Sequence, residues 1–142
     1  MATQSLTIPG RLDQIEKICV LVGNAAETAG LDSRTSYACQ LAVSEACENI
    51  IKHGYGREDA GEITATTLTA PGELTVDLED NAPPFNPGVK PTSSTWTEDN
   101  PPIGGLGLLI IHRAMDEVEY HRRGNRNCLR LRKRQRPAAT DR

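Results

Sequence analysis

Three features of the 142-residue sequence have types and spacings that could carry chemistry. Glu45, Asn49 and His53 recur every fourth residue, which in a helix lines them up along one side, about 40° apart per step. A carboxylate there can accept a proton, and an amide oxygen suits a hard cation such as Mg²⁺. A solvated helix face explains the same pattern, with Glu48 and Lys52 as an i, i+4 ion pair. In the segment Glu73-Leu-Thr-Val-Asp-Leu-Glu-Asp80, side chains of a strand alternate, so Asp80 shares a face with Leu74, Val76 and Leu78. An unpaired buried carboxylate costs several kcal/mol, so Asp80 either caps a turn at the rim or holds a donor from protein or ligand. Gly104, Gly105 and Gly107 precede an apolar helix, where bare backbone can admit an anion to free N–H groups or act as a hinge. No Gly-Lys-Ser/Thr follows, which excludes a Walker A loop. A proline-rich stretch precedes in place of a strand, which excludes a dinucleotide fingerprint.

The elements that must position these residues follow from periodicity. Residues 4–8 alternate as a short strand stopped by Pro9-Gly10. From Arg11, Leu12, Ile15, Ile18, Cys19 and Val22 predict an amphipathic helix ending near Gly30. Asp32 or Ser33 caps a second helix, with Cys39, Val43, Ala46, Cys47, Ile50 and Ile51 apolar and Gly54 and Gly56 at its end. Strands over 63–70 and 73–80 join at Pro71-Gly72. Residues 81–103 carry six prolines, too many for a helix or central strand, and a long loop inside one domain reads as a lid. A helix then runs to about Met115, and strands over 117–121 and 127–134 flank a turn at Gly124. The order β-α-α-β-β-lid-α-β-β predicts an α+β fold, a two-layer α/β sandwich with helices on one face of a mostly antiparallel sheet.

Charge is divided along the chain. Residues 1–120 hold 18 acidic and 7 basic side chains, whereas residues 121–142 hold 9 basic and 1 acidic. The basic end is not read as a nucleic-acid site: Leu129 and Leu131 alternate with Arg130, Arg132 and Arg134 as in a half-buried strand, and aromatics are only 4%, leaving little to stack on bases. The strand pairing implied puts Arg130 and Arg132 within reach of Thr75, Asp77 and Glu79. The N-terminal stretch lacks a basic region followed by an apolar one, and the most apolar segment, 106–111, falls far short of the roughly 18 residues of a membrane span. The expectation is a cytoplasmic protein without a membrane segment. Cys19, Cys39, Cys47 and Cys128 show no C-x-x-C spacing and are expected to be reduced core residues.

The segments Leu41-Ala-Val-Ser-Glu-Ala-Cys-Glu-Asn-Ile-Ile-Lys-His-Gly-Tyr55, Asp80-Asn-Ala-Pro-Pro-Phe-Asn-Pro87 and Gly104-Gly-Leu-Gly-Leu, continuing to Met115-Asp-Glu-Val-Glu-Tyr120, resemble the anti-sigma factor serine/threonine kinases. These are single-domain members of the GHKL ATPase superfamily, and the likeness runs from about Leu6 to Lys133. The resemblance implies the GHKL (Bergerat) ATP-binding fold over residues 1–136, a lid over 81–103 and a short tail over 137–142. It implies ATP and Mg²⁺ as cofactors, Glu45 as general base, Asn49 as Mg²⁺ ligand and Asp80 as acceptor from the adenine amine. It places His53, Ala82, Phe85, Gly104, Gly105, Leu106, Gly107 and Leu108 along the nucleotide. Three departures stand out: Ala82 replaces a frequent glycine, which is expected to tighten the adenine pocket; Asn86 replaces a frequent aspartate; and the last strand supplies no Ser or Thr near the base. The implied activity is transfer of phosphate to a Ser or Thr of a small anti-sigma-factor antagonist, with a sigma factor or other regulator competing for the kinase and dimerisation left open. The alternative is a non-catalytic ATP-binding module that sequesters its partner.

Overall fold

The computed structural model describes residues 2–84 and 105–135. Five strands form one antiparallel sheet: β1 (Ala2–Pro9), β2 (Glu62–Ala70), β3 (Glu73–Asp80), β4 (Glu117–Arg123) and β5 (Arg126–Arg134), in the order β1-β2-β3-β5-β4. Among the described residues, three α-helices, α1 (Ile15–Thr28), α2 (Ser33–Asn49) and α3 (Gly105–Ala114), cover one face. The predicted order of helices and strands and the two-layer architecture are both present among the described residues. Glycines at positive φ turn the chain where the sequence placed its turns, at Gly72 between β2 and β3 and at Gly124 between β4 and β5.

Parity decides what the sheet buries. The register sets Ile63 opposite Asp80, Ala65 opposite Leu78, Leu78 opposite Leu129 and Val76 opposite Leu131. These side chains meet Ile18 and Val22 of α1, Val43, Ala46 and Cys47 of α2 and Ile111 of α3 in one core. Each fully buried aliphatic side chain contributes about 1.5–3 kcal/mol relative to exposure. Asp80 belongs to this same inward row, so its carboxylate enters the core side as parity required.

The opposite face of the sheet is polar and held by ion pairs. Arg130 grips Asp77 with two bonds, Nε to Oδ1 at 2.7 Å and Nη2 to Oδ2 at 2.8 Å, and Arg132 bridges Glu73 and Glu117. Exposed pairs contribute only about 0.2–1 kcal/mol each, so their main effect is on register: a one-residue slip of β5 would set Arg130 facing the core. Cys128 lies on this polar face, between Glu79 and His121, which corrects its expected core position: its even number gives it the parity of Arg130 rather than of Leu129. Cys39 and Cys47 are buried in the core, and Cys19 is half-buried beside it.

The second helix departs from expectation at its end. Asp32 is the N-cap, accepting from the Thr35 N–H at 2.8 Å, but the α-helix gives way after Asn49 to a π-helical segment over Ile50–Tyr55, closed by Gly56 at φ 83°. Such wider turns recur at functional sites. Tyr55 ends the segment with its ring over Gly61, where a Cβ would come within 2.5 Å of the ring. Its hydroxyl donates to the Glu62 carbonyl at 2.6 Å and accepts from the Asn81 N–H at 3.0 Å. The end of α2 is thereby tied directly to the residue after Asp80.

Candidate functional site

Glu45 and Asn49 reach the site from α2, one turn apart. Glu45 is half-buried and lies against α3: a Cβ built on Gly107 would stand 2.5 Å from Glu45 Oε1. Gly107 is therefore a glycine because the carboxylate passes over it, at the first turn of a helix. Burial raises the Glu45 pKa, the neighbouring Glu48 raises it further, and Lys52 opposes both. Lys52 itself pairs with Glu48 at 3.4 Å, as the spacing predicted.

Gly107→Ala should thus displace the Glu45 carboxylate rather than unfold the helix, since the clash falls on the end of a flexible side chain. The expected outcome is a thermal midpoint at or above that of the wild type, because alanine is favoured over glycine within a helix by about 0.8–1 kcal/mol. Whatever chemistry depends on Glu45 should fall at least tenfold, and thermal melts alongside activity assays check the pair of effects.

Asn49 is 4% exposed, and its Nδ2 is a buried polar atom with no hydrogen-bond partner among the described residues. Leaving such a group unmatched costs about 1–3 kcal/mol, so the fold gains nothing from the amide as it stands. A buried amide at a helix end next to a π turn is instead what a site needs when a ligand completes its bonding.

Asp80 is 5% exposed, and both protein donors to it converge on one oxygen. The Ala82 N–H reaches Oδ1 at 2.9 Å and Asn127 Nδ2 reaches it at 2.8 Å. Burial raises the Asp80 pKa, against the pull of Asn127, the Ala82 N–H and the more distant Arg122 and Arg126. No donor to Oδ2 is present among the described residues. The expectation of a carboxylate needing a partner is half met within the protein, and the second oxygen stays available.

The remaining sequence-derived residues divide. Ala82 is buried, its methyl packed toward Gly54, where an added Cβ would approach to 3.2 Å; the extra carbon over glycine is taken up by that bare backbone. Leu108 is buried on α3, while Gly105 and Leu106 form its first turn. His53 lies at the surface, one turn beyond Asn49, so it does not join the buried groups. Phe85, Asn86, Gly104, most of the lid and the tail over 137–142 lie outside the described residues. Asn127 also belongs to the buried groups of the site, a residue absent from the sequence expectations, although the register that sets it opposite Asp80 follows from pairing Leu129 with Leu78.

Comparison with known proteins bears on the family and the fold. Residues 8–133 match the histidine kinase-like ATPase domain. The serine-protein kinase RsbW of Listeria monocytogenes serotype 4a (strain HCC23) is 30% identical over 122 residues, spanning 82% of this chain and 78% of that protein. The RsbW of Bacillus mycoides (strain KBAB4) is 29% identical over 119 residues, spanning 80% and 74%. Among solved structures, the RsbU and RsbW domains of a Mycobacterium tuberculosis protein superpose with a TM-score of 0.66 at 17% identity, covering 97% of this chain and 34% of that one. The SiaB–SiaC complex of Pseudomonas aeruginosa gives 0.57 at 18% identity, covering 92% and 88%; at these identities the structures bear on the fold alone. With the family domain matched over most of its length and relatives at this level of identity, the chain belongs to the anti-sigma factor serine-protein kinase family of histidine kinase-like ATPases.

Proposed function

We propose that this protein is an ATP-dependent serine/threonine kinase that phosphorylates a small anti-sigma-factor antagonist, with a sigma factor or another regulator competing for the same kinase. The observation that carries the reading is the seating of the Glu45 carboxylate against Gly107 in the first turn of α3, with the unmatched Asn49 amide one turn along the same helix. The names of the RsbW relatives support the same class of activity. The single domain is taken as residues 1–136, with a lid over 81–103 and a tail over 137–142.

The residues fit ATP and Mg²⁺ on two counts: Asp80 offers Oδ2, and Asn49 has unmet hydrogen-bonding capacity. When bound, ATP supplies the phosphoryl group and Mg²⁺ supplies charge neutralisation. Asn49 would hold the metal through its amide oxygen. Asp80 would accept from the exocyclic amine of adenine, and the N–H groups opening α3 would hold phosphate oxygens. Glu45 would take the proton of the acceptor hydroxyl. Its raised pKa makes it a stronger base, and activity should fall as pH drops through that raised value. Phosphorylation adds about −1.5 to −2 charge to the antagonist, which would be repelled by the acidic body of residues 1–120.

The test is to co-purify the protein with candidate antagonists and follow label from γ-labelled ATP. Wild-type protein should transfer label to one partner, and Glu45→Ala should slow transfer by roughly 10²–10⁴-fold while leaving ATP binding in place. Transfer at the wild-type rate in Glu45→Ala would remove the base from Glu45.

A further inference from the structure

Asn127 sits at the start of β5, 4% exposed, with its whole hydrogen-bonding capacity engaged. Its Nδ2 donates to Asp80 Oδ1 at 2.8 Å and to the Ala82 carbonyl at 2.9 Å, with the Pro83 carbonyl farther off at 3.4 Å. Its Oδ1 accepts from the Tyr120 hydroxyl and from Arg122 Nη1, the latter at 2.8 Å. An amide has two N–H donors and two acceptor lone pairs, and here all four are used. Acceptors crowd one end and donors the other, so only one orientation of the amide satisfies the network. Arg122 Nη1 also donates to the Ala82 carbonyl at 3.0 Å, which closes a ring through β3, β4 and β5.

This network has two consequences. Asn127 has no donor or acceptor left for a ligand, so it cannot act as the hydroxyl that the last strand lacks. It does fix the plane of the Asp80 carboxylate, committing Oδ1 to the protein and leaving Oδ2 as the acceptor turned outward. We propose that Asn127, locked by Tyr120 and Arg122, is a positioning residue that makes Asp80 a single-acceptor probe for a base bearing an amine. The proposal rests on the nucleotide reading above and deepens it. A 6-oxo base would set oxygen against oxygen at Oδ2 and be rejected, because an unmatched buried acceptor is more costly than a missing contact.

Protonation supplies the readout that packing alone would not move. Among the described residues, the titratable groups facing Asp80 are Cys47 on α2, Tyr55 at the end of the π-helical segment, Arg122 on β4 and Arg126 on β5. Asn127 is the leading hydrogen-bond partner holding the Asp80 pKa down against burial. Without it the carboxyl protonates at higher pH, and a protonated carboxyl donates to a 6-oxo base.

The experiment measures binding of ATP and of inosine triphosphate, whose base carries an oxygen in place of the amine, across a pH series. The proteins are wild type, Asn127→Ala and Tyr120→Phe. Wild type should prefer ATP. Asn127→Ala should bind ATP about tenfold more weakly near neutral pH, the worth of one hydrogen bond to a charged group, with a reduced preference over inosine triphosphate and an acid limb moved to higher pH. Tyr120→Phe should move all three in the same direction by less, and it decides the matter if Asn127→Ala fails to fold. Folded variants with the wild-type preference and the wild-type acid limb would overturn the inference alone. A wild type that binds no ATP would overturn the nucleotide reading and this inference with it.

Discussion

Asp80→Asn is expected to abolish ATP binding in a protein that still folds. The Ala82 N–H and Asn127 Nδ2 both point at Oδ1, so an asparagine at this position must turn its own oxygen toward them. Its NH₂ group then occupies the place of Oδ2 and meets the amine of adenine donor to donor. The loss combines a charge-assisted bond, worth about 1.5–3 kcal/mol, with a repulsive contact, so affinity should fall at least about 100-fold. Stability should hold or rise. Burial raises the Asp80 pKa, so the folded carboxyl binds its proton more tightly than the unfolded one, and the fold loses stability as pH rises through that window. A neutral amide removes this cost. Calorimetric titration with ATP, alongside thermal melts near neutral pH, reads both effects. ATP affinity within a few-fold of wild type would contradict the adenine role.

Asn49→Ala should separate activity from stability even more sharply. The amide is buried on α2 with Nδ2 unmatched, and alanine is the better helix former by a few tenths of a kcal/mol. The variant should therefore unfold within about 1 kcal/mol of wild type in urea, where a well-bonded buried side chain would cost more. Its phosphoryl transfer should fall by two orders of magnitude or more, and the Mg²⁺ concentration needed for half-maximal rate should rise. A large loss of stability would identify Asn49 as a structural group. An unchanged Mg²⁺ requirement would remove it from metal binding.

Asp80 was legible because strand parity is strict: a carboxylate in the row of Leu74, Val76 and Leu78 must enter the core side. Glu45 and Asn49 were legible as one face of a helix, but that face reads equally as solvated, and only the approach of α3 distinguishes the two. The π-helical segment over Ile50–Tyr55 has no signal in its residue types, and its last residue is tied to distant chain by the bonds of Tyr55 to Glu62 and Asn81. His53 was placed by extending a regular helix through that segment. Cys128 was misassigned because its apolar neighbours in sequence point to the other face of the strand. Asn127 was missed because its role depends on three strands at once, joining Asp80 of β3 to Tyr120 and Arg122 of β4. The acidic body and basic end resolve into cross-strand pairs, with Arg130 on Asp77 and Arg132 on Glu73 and Glu117, which leaves the basic strand largely neutralised within its own sheet.

Transfer of a phosphoryl group from ATP to a serine or threonine of a partner is what separates a kinase from a module that merely holds that partner. Intact-mass spectrometry of the co-purified antagonist, before and after incubation with ATP and Mg²⁺, tests this directly. The partner should gain one phosphoryl group on a single Ser or Thr, lost in Glu45→Ala, with release of the modified partner. A partner bound in the presence of ATP whose mass never changes would contradict it and identify a sequestering module instead.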